Sequence, residues 1–272
     1  MSFKLVLLTS LLAVTQATPF LGFDPLITGG QAARKAEFPY LVSLQRGDPP
    51  NVAHFCAGSI IKPKWILTAG HCVTVIPAGG TLIIKAGKYL IKQVEKDEQV
   101  VEVNRTIVHE KYPGNVAPND IALIKLKTPL KFNANVAAIK LPEANSQPTG
   151  VFTFTGWGSV SLNSKPSYPN VLQKVDVTLV DLYTCKLSIE RITGSAPLDQ
   201  GNMCTGPLSG GISACSRDSG GPLIGRDRNG TVELVGVSSW GVEPCGLRGA
   251  PSVHVKVSSY IDWINKHIGK HC

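Results

Sequence analysis

The 272-residue chain lacks most of what would place it in a membrane, on nucleic acid or around a metal. Beyond its N-terminal region, no segment is long and apolar enough to span a bilayer. Its 27 basic and 19 acidic residues leave a surplus of eight positive charges, scattered along the chain and without a nucleic-acid-binding motif. Such a surplus suits solubility or acidic partners, and neither nucleic acid nor a membrane is expected as a partner. There is no C-x-x-C pair, the commonest cysteine arrangement of zinc sites, so no metal or cofactor is expected. Helical periodicity between the strand-like segments is also scarce, which argues against an alternating α/β sheet.

The chain begins with a leader-like pattern. Lys4 precedes an apolar run from Leu5 to Val14, and Thr15-Gln16-Ala17 supplies small residues at a cleavage site. This is the pattern of a secretory signal peptide, residues 1–17. Secretion places the seven cysteines in an oxidising compartment. Six of them can pair in fifteen ways, and spacing alone does not choose. The seventh implies a free thiol or a link to another chain.

Short runs rich in Val, Ile, Leu and Thr recur at 40–45, 59–69, 81–87, 99–109, 120–126, 151–158, 172–180, 232–240 and 252–257. Gly, Pro and Asn separate them, and the pattern predicts an all-β fold of antiparallel barrels or sandwiches. Two stretches read as helical. Asp181 can cap a short helix through Lys186 and Leu187. Near the end, Tyr260, Ile261, Ile264 and Ile268 form one stripe, with Ser258 or Ser259 as cap and Gly269 as terminator. The polar segment 141–150 is the best linker between two halves of similar length.

Three reactive side chains stand in distinctive settings: His71 in WILTAGHC, Asp120 in NDIALIKL and Ser219 in CSRDSGGP. Serine is a weak nucleophile until a base removes its proton, and histidine is the natural base near neutral pH. A buried carboxylate fixes the imidazole tautomer and stabilises the cation that forms. The paired glycines after Ser219 signal a backbone that other residues resist.

TAGHC, DIALIKL, GWG and DSGGP, in that order, resemble the motifs of the chymotrypsin-like serine peptidases. The resemblance runs from ITGG (27–30) to the terminal helix. It implies two six-stranded antiparallel β-barrels of about 27–140 and 141–257, a C-terminal α-helix of about 258–269, and an active site between the barrels. By that resemblance His71 is general base and then acid, Asp120 orients it, and Ser219 is the nucleophile. The backbone N–H groups of Arg217 and Ser219 form the oxyanion hole, and the disulfides are Cys56–Cys72, Cys185–Cys204 and Cys215–Cys245. Cys272 has no family partner. The implied product is a secreted, monomeric endopeptidase that acts on proteins or peptides and meets protein inhibitors.

Activation and specificity follow from the same resemblance. Residues 18–26 read as an activation peptide, and a cut between Leu26 and Ile27 frees an ammonium that pairs with Asp218. Leu26 replaces the more usual Arg or Lys, which points to an activator with apolar preference or to self-activation. Ser213 falls at the base of the specificity pocket, where a trypsin-like enzyme carries aspartate. With Trp240 and Gly241 on one wall and Ser252 on another, it implies cleavage after large apolar residues; the elastase-like alternative prefers smaller ones. Lys88 stands where calcium-binding relatives carry glutamate, so it repels a metal and is expected to pair with Glu98.

Arg217 occupies a position where glycine is usual. If it distorts the oxyanion hole, the chain becomes a weakly active homologue that works by binding. If its side chain points toward the leaving-group side, it impedes bulky protein inhibitors and favours acidic residues after the cut. His54, His109, His254, His267 and His271 are assigned surface or packing roles. Asn104-Arg105-Thr106 and Asn229-Gly230-Thr231 are glycosylation sequons.

Overall fold

The computed structural model describes residues 29–48 and 51–269. Short strands rich in apolar residues close the first half into a ring of β2 (Leu41–Arg46), β3 (Ala53–Lys62), β4 (Trp65–Thr68), β7 (Ala122–Leu126), β6 (Gln99–Val108) and β5 (Leu82–Ala86). Neighbours pair antiparallel throughout. Closure leaves no free edge, and Val42, Leu44, Ile60, Ile66, Ile84 and Ile124 fill the interior, fully buried. The predicted run 59–69 is two strands, because the chain reverses at Pro63-Lys64.

The second half forms an equivalent ring of β9 (Gln173–Val180), β10 (Asn202–Thr205), β13 (Ser252–Lys256), β12 (Val232–Trp240), β11 (Pro222–Arg226) and β8 (Val151–Gly156), closed by β8 pairing with β9. The fold is therefore two six-stranded antiparallel barrels. The short β1 (Gln31–Ala32) pairs with β9, so the first described segment belongs to the second barrel's sheet. Segment 141–150 carries no strand and connects the halves. The strands β10 and β11 escape the sequence reading because each is a short run beside glycine-rich turns.

The helices α1 (Gly70–Thr74), α2 (Leu182–Thr193) and α3 (Ile261–Ile268) decorate the barrels. Asp181 caps α2 by accepting from the Thr184 N–H at 2.9 Å, and the helix runs six residues past its expected end before Gly194 stops it at φ +81°. The expected serine cap of α3 is not used. A 3-10 turn over Val257–Tyr260 leads directly into the helix, and Ser258 Oγ instead donates to the Ser146 carbonyl at 2.8 Å.

One surface loop holds its own cation. The Lys88 side chain is completely covered, with Nζ 2.7 Å from Glu98 Oε2 and 3.7 Å from Glu95 Oε2. It also donates to the Gln93 carbonyl. Glu95 in turn accepts from the N–H groups of Tyr89 at 2.6 Å and Leu90 at 2.9 Å. An ammonium thus occupies the centre of a ring of oxygens. Burial works against the charge on Glu98, but the hydrogen bonds from Lys88 and from the backbone of Glu95 prevail and hold its pKa below the usual range.

Lys88→Met should therefore cost about 3 kcal/mol in urea unfolding at neutral pH, because it leaves carboxylates buried without their partner. A depressed carboxyl pKa stabilises above the unfolded value and ceases to do so as pH falls through the folded one. The gap between variant and native chain should accordingly close in acid. A gap that persists there would remove the ion ring as its cause.

Candidate active site

Strand β4 ends at Thr68, and α1 follows after one residue, so the barrel wall delivers His71 to its rim. The Cys56–Cys72 disulfide ties α1 to β3. Asp120 sits just before β7 and is 2% exposed. Its Oδ1 accepts the His71 backbone N–H at 2.8 Å, and its Oδ2 accepts His71 Nδ1–H at 2.8 Å and Ser239 Oγ–H at 2.6 Å. With Nδ1 donating to a carboxylate, Nε2 is the basic nitrogen of the ring. Ser239 lies on β12, so the second barrel contributes to holding an aspartate of the first.

Ser219 lies on the loop from Cys215 to Gly221, and that loop is fixed from both sides. The Ser219 carbonyl accepts from Ala57 N–H on β3 at 2.8 Å, and Gly220 N–H donates to the Ser238 carbonyl on β12 at 2.8 Å. Cys215 is bonded to Cys245. Gly220 has φ +78°, and an added Cβ would lie 2.2 Å from Thr68 Oγ1 and 2.3 Å from the Ala57 carbonyl oxygen. No side chain fits there.

Asp218 points inward and is fully buried. It accepts from Gly158 N–H at 2.7 Å and Cys215 N–H at 3.1 Å. Burial pushes its pKa up to about 7, although these two hydrogen bonds oppose the shift. The GWG motif acquires a physical meaning here. A Cβ on Gly156 or Gly158 would come within 2.1 or 2.2 Å of the Asp218 carboxyl group, so two glycines make the chamber that holds it. Between them Trp157 is 1% exposed and donates from Nε1 to the Tyr89 carbonyl at 3.1 Å.

Arg217 takes φ +76°, a left-handed conformation that costs a side-chain-bearing residue about 1–2 kcal/mol. Its surroundings hold it there. The Ser216 carbonyl accepts from Ser159 N–H at 3.0 Å, so in a trans peptide the Arg217 N–H points the opposite way. His54 Nε2–H donates to the Arg217 carbonyl at 3.1 Å, and the guanidinium lies 3.7 Å from the centroid of the Tyr168 ring. The side chain is exposed and turned outward. Among the described residues, neither Arg217 N–H nor Ser219 N–H has an intramolecular acceptor.

His54 is the residue the sequence undervalued. It is 8% exposed, and burial pushes its pKa down to about 4, against the opposing effect of the Arg217 carbonyl. The neutral ring donates at Nε2 and accepts at Nδ1 from Ser43 Oγ, 2.9 Å away. Its sequence signal is faint: only its place two residues before Cys56 hints that it lies near His71. Tyr168, Ser239 and Glu243 carry no local signal either, because each acts on a residue far away in the chain. His254 is a packed residue, 1% exposed and bonded through Nε2 to Thr205 Oγ1 at 2.9 Å.

Two cavities meet at Ser219. The larger, about 700 Å³, is lined by His71, Phe55, Arg46 and Arg217 among others. The smaller, about 260 Å³, runs past Ala214, Ser216, Trp240, Gly241 and Glu243. Ser213 and Ser252 are buried, with their hydroxyl oxygens 3.3 Å apart, and Ser252 Oγ accepts at 3.1 Å from the N–H of Ala214, which lines this cavity. Gly241 faces open space. Glu243 accepts from Ser216 Oγ at 3.0 Å.

Among the described residues, the one grouping with metal-ligand spacing is Cys56, His71 and Cys72, and its two sulfurs are already joined in a disulfide. The third disulfide is Cys185–Cys204. Asn104 is exposed at an irregularity of β6, and Asn229 is exposed in the turn before β12. The proposed leader, Leu26, Ile27 and Cys272 lie outside the described residues.

Among the described residues no helix is long and apolar enough to cross a membrane. The trypsin family model matches residues 27–264. The lectizyme of Glossina austeni is 38% identical over 252 residues, covering 89% of this chain and 86% of its own. The anionic trypsin of Canis lupus familiaris is 35% identical over 263 residues, 97% of each chain. Trypsin-1 of Astacus astacus is 39% identical over 242 residues, 88% of this chain and 98% of its own. With two closed barrels and similarity over nearly the whole length, the chain belongs to the trypsin family and is a serine endopeptidase.

Proposed function

We propose that the chain is exported as a precursor, is cut between Leu26 and Ile27, and then hydrolyses protein bonds after large apolar residues through His71, Asp120 and Ser219. The observation that carries this reading is the grip of Asp120 on His71 Nδ1 at the edge of a cleft that Ser219 also lines. His71 Nε2 takes the proton of Ser219 Oγ as that oxygen attacks the scissile carbonyl. The developing oxyanion is received by the free N–H groups of Arg217 and Ser219. Asp120 stabilises the imidazolium, which gives its proton to the leaving amine. Water then repeats the sequence and releases the acid product from Ser219.

The rival reading, a homologue that binds without turnover, rests on Arg217. The unspent Arg217 N–H and the outward side chain favour an active enzyme instead. A fluorophosphonate should label the cut protein at Ser219, and the Ser219→Ala variant should not be labelled. His71→Ala should lower kcat about 10²–10⁴-fold on a small ester. A cut chain that stays unlabelled would leave binding as the function.

Specificity follows from the pocket's chemistry. Ser213 and Ser252, beside the lining residue Ala214, are neutral hydroxyls, so an ammonium or guanidinium driven inward gains no carboxylate from them, and Glu243 is the one charged residue of the lining. The trypsins among its relatives favour the opposite reading, cleavage after Lys or Arg. A peptide-library digest separates them: dominant cuts after Leu, Met, Phe or Tyr support the pocket argument, and dominant cuts after Lys or Arg reject it.

The activation latch gives a pH test. In the uncut chain the Ile27 nitrogen is an amide, so it supplies no ammonium for Asp218. A carboxyl group with its folded pKa raised to about 7 stabilises fully below its unfolded value near 4 and loses this contribution as pH rises through about 7. In a Ser219→Ala background, the uncut chain should lose Tm between pH 5 and about 7.5, and cutting at Leu26 should flatten that fall. Equal slopes before and after the cut would dissociate Asp218 from Ile27.

A further inference from the structure

The cleft is electrically polarised across Ser219, and we propose that it selects chains with basic residues before the scissile bond and acidic residues after it. This rests on the peptidase reading above, which fixes the direction of the substrate. The acyl half, bonded transiently to Ser219, places its side chain in the smaller cavity beside Trp240 and Gly241. The amine half departs toward His71, which protonates it, and so lies in the larger cavity.

That larger cavity is edged by two guanidinium groups. Arg217 stacks on the Tyr168 ring at 3.7 Å, and Arg46 stacks on the Phe55 ring at 4.7 Å. Both arginines are exposed and, among the described residues, neither is paired with a carboxylate. Among the described residues neither guanidinium donates a hydrogen bond, so its N–H groups are free to take a carboxylate. Asp48 also touches this cavity and offsets part of the charge, leaving it net positive. His54 lines it too, but burial keeps that ring neutral.

The smaller cavity has the opposite sign. Glu243 is its one charged lining residue, is exposed, and has no cation partner among the described residues. Its carboxylate is held by Ser216 Oγ at the mouth, one residue before Arg217. A substrate strand crossing the site therefore passes Glu243 first and the arginines afterwards. Because Glu243 lines the cavity that receives the side chain before the cut, it acts on that residue as well as on its neighbours, and the test below holds that residue constant.

Two internally quenched peptides test this, with the same large apolar residue before the cut. One carries Lys two and three residues before the bond and Asp two and three residues after it; the other exchanges Lys and Asp. The active, cut enzyme should prefer the first in kcat/KM, by about fivefold for each exposed charge pair at low salt. The preference should shrink toward unity at high salt. Because the readout is a ratio within each enzyme, changes in basal turnover cancel. Glu243→Lys and Arg46→Glu should each lower the ratio, and the double variant should invert it. Equal rates in the native enzyme, or a ratio unmoved by both variants, would overturn the inference. Fluorophosphonate labelling of the same preparation separates the two failures. Labelled enzyme without charge preference sinks this inference alone, whereas unlabelled enzyme sinks the peptidase reading with it.

Discussion

The backbone of residues 215–221 is clamped between two barrels, and the remaining features of the site depend on that clamp. Ala57 on one barrel and Ser238 on the other each hydrogen-bond to the loop within one residue of Ser219. Two such bonds at adjacent residues leave the chain no freedom to slide or rotate. The glycine at 220 is then obligatory, because the clamp brings Thr68 and Ala57 against its Cα. Asp218 is forced inward by the same geometry, into a chamber that only the glycines of GWG leave open.

The strain at Arg217 becomes intelligible in this light. A left-handed arginine would relax if its flanking peptides could turn. Ser159 fixes the peptide before it and His54 fixes the peptide after it. His54 can hold a carbonyl reliably because burial keeps it neutral in one tautomer, backed by Ser43. Tyr168 then gives the displaced side chain a resting surface. Several weak contacts together offset a conformational penalty of about 1–2 kcal/mol, and the N–H group retains its outward aim.

Much of the fold was legible because strands buried on both faces read as runs of Val, Ile, Leu and Thr between turn residues, and most of these runs appear as strands within a residue or two. The misreadings have physical causes. Pro63-Lys64 hid a hairpin inside one apolar run, and β10 (NMCT) and β11 (PLIGR) carry no β-branched run of the kind that marked the other strands. At the site, the pair of Lys88 with Glu98 was readable because both lie in one loop. His54, Tyr168, Ser239 and Glu243 were not, because the site residues they hold lie far away in the chain and local sequence carries no trace of such contacts. The pocket was only half readable: the hydroxyls of Ser213 and Ser252 were evident as residue types, but not that the two are buried within 3.3 Å of each other.

The hydroxyl of Ser239 has a consequence for how this enzyme fails. It reaches from one barrel to the carboxylate that orients the histidine of the other. The setting of Asp120, and through it of His71, thus depends in part on a hydrogen bond that crosses between two closed barrels. On the proposed mechanism, heat or mild denaturant that loosens the seam would disarm the catalyst while both rings of strands remain intact. Loss of turnover would then report on the seam rather than on the barrels, and it would be reversible for as long as the rings survive.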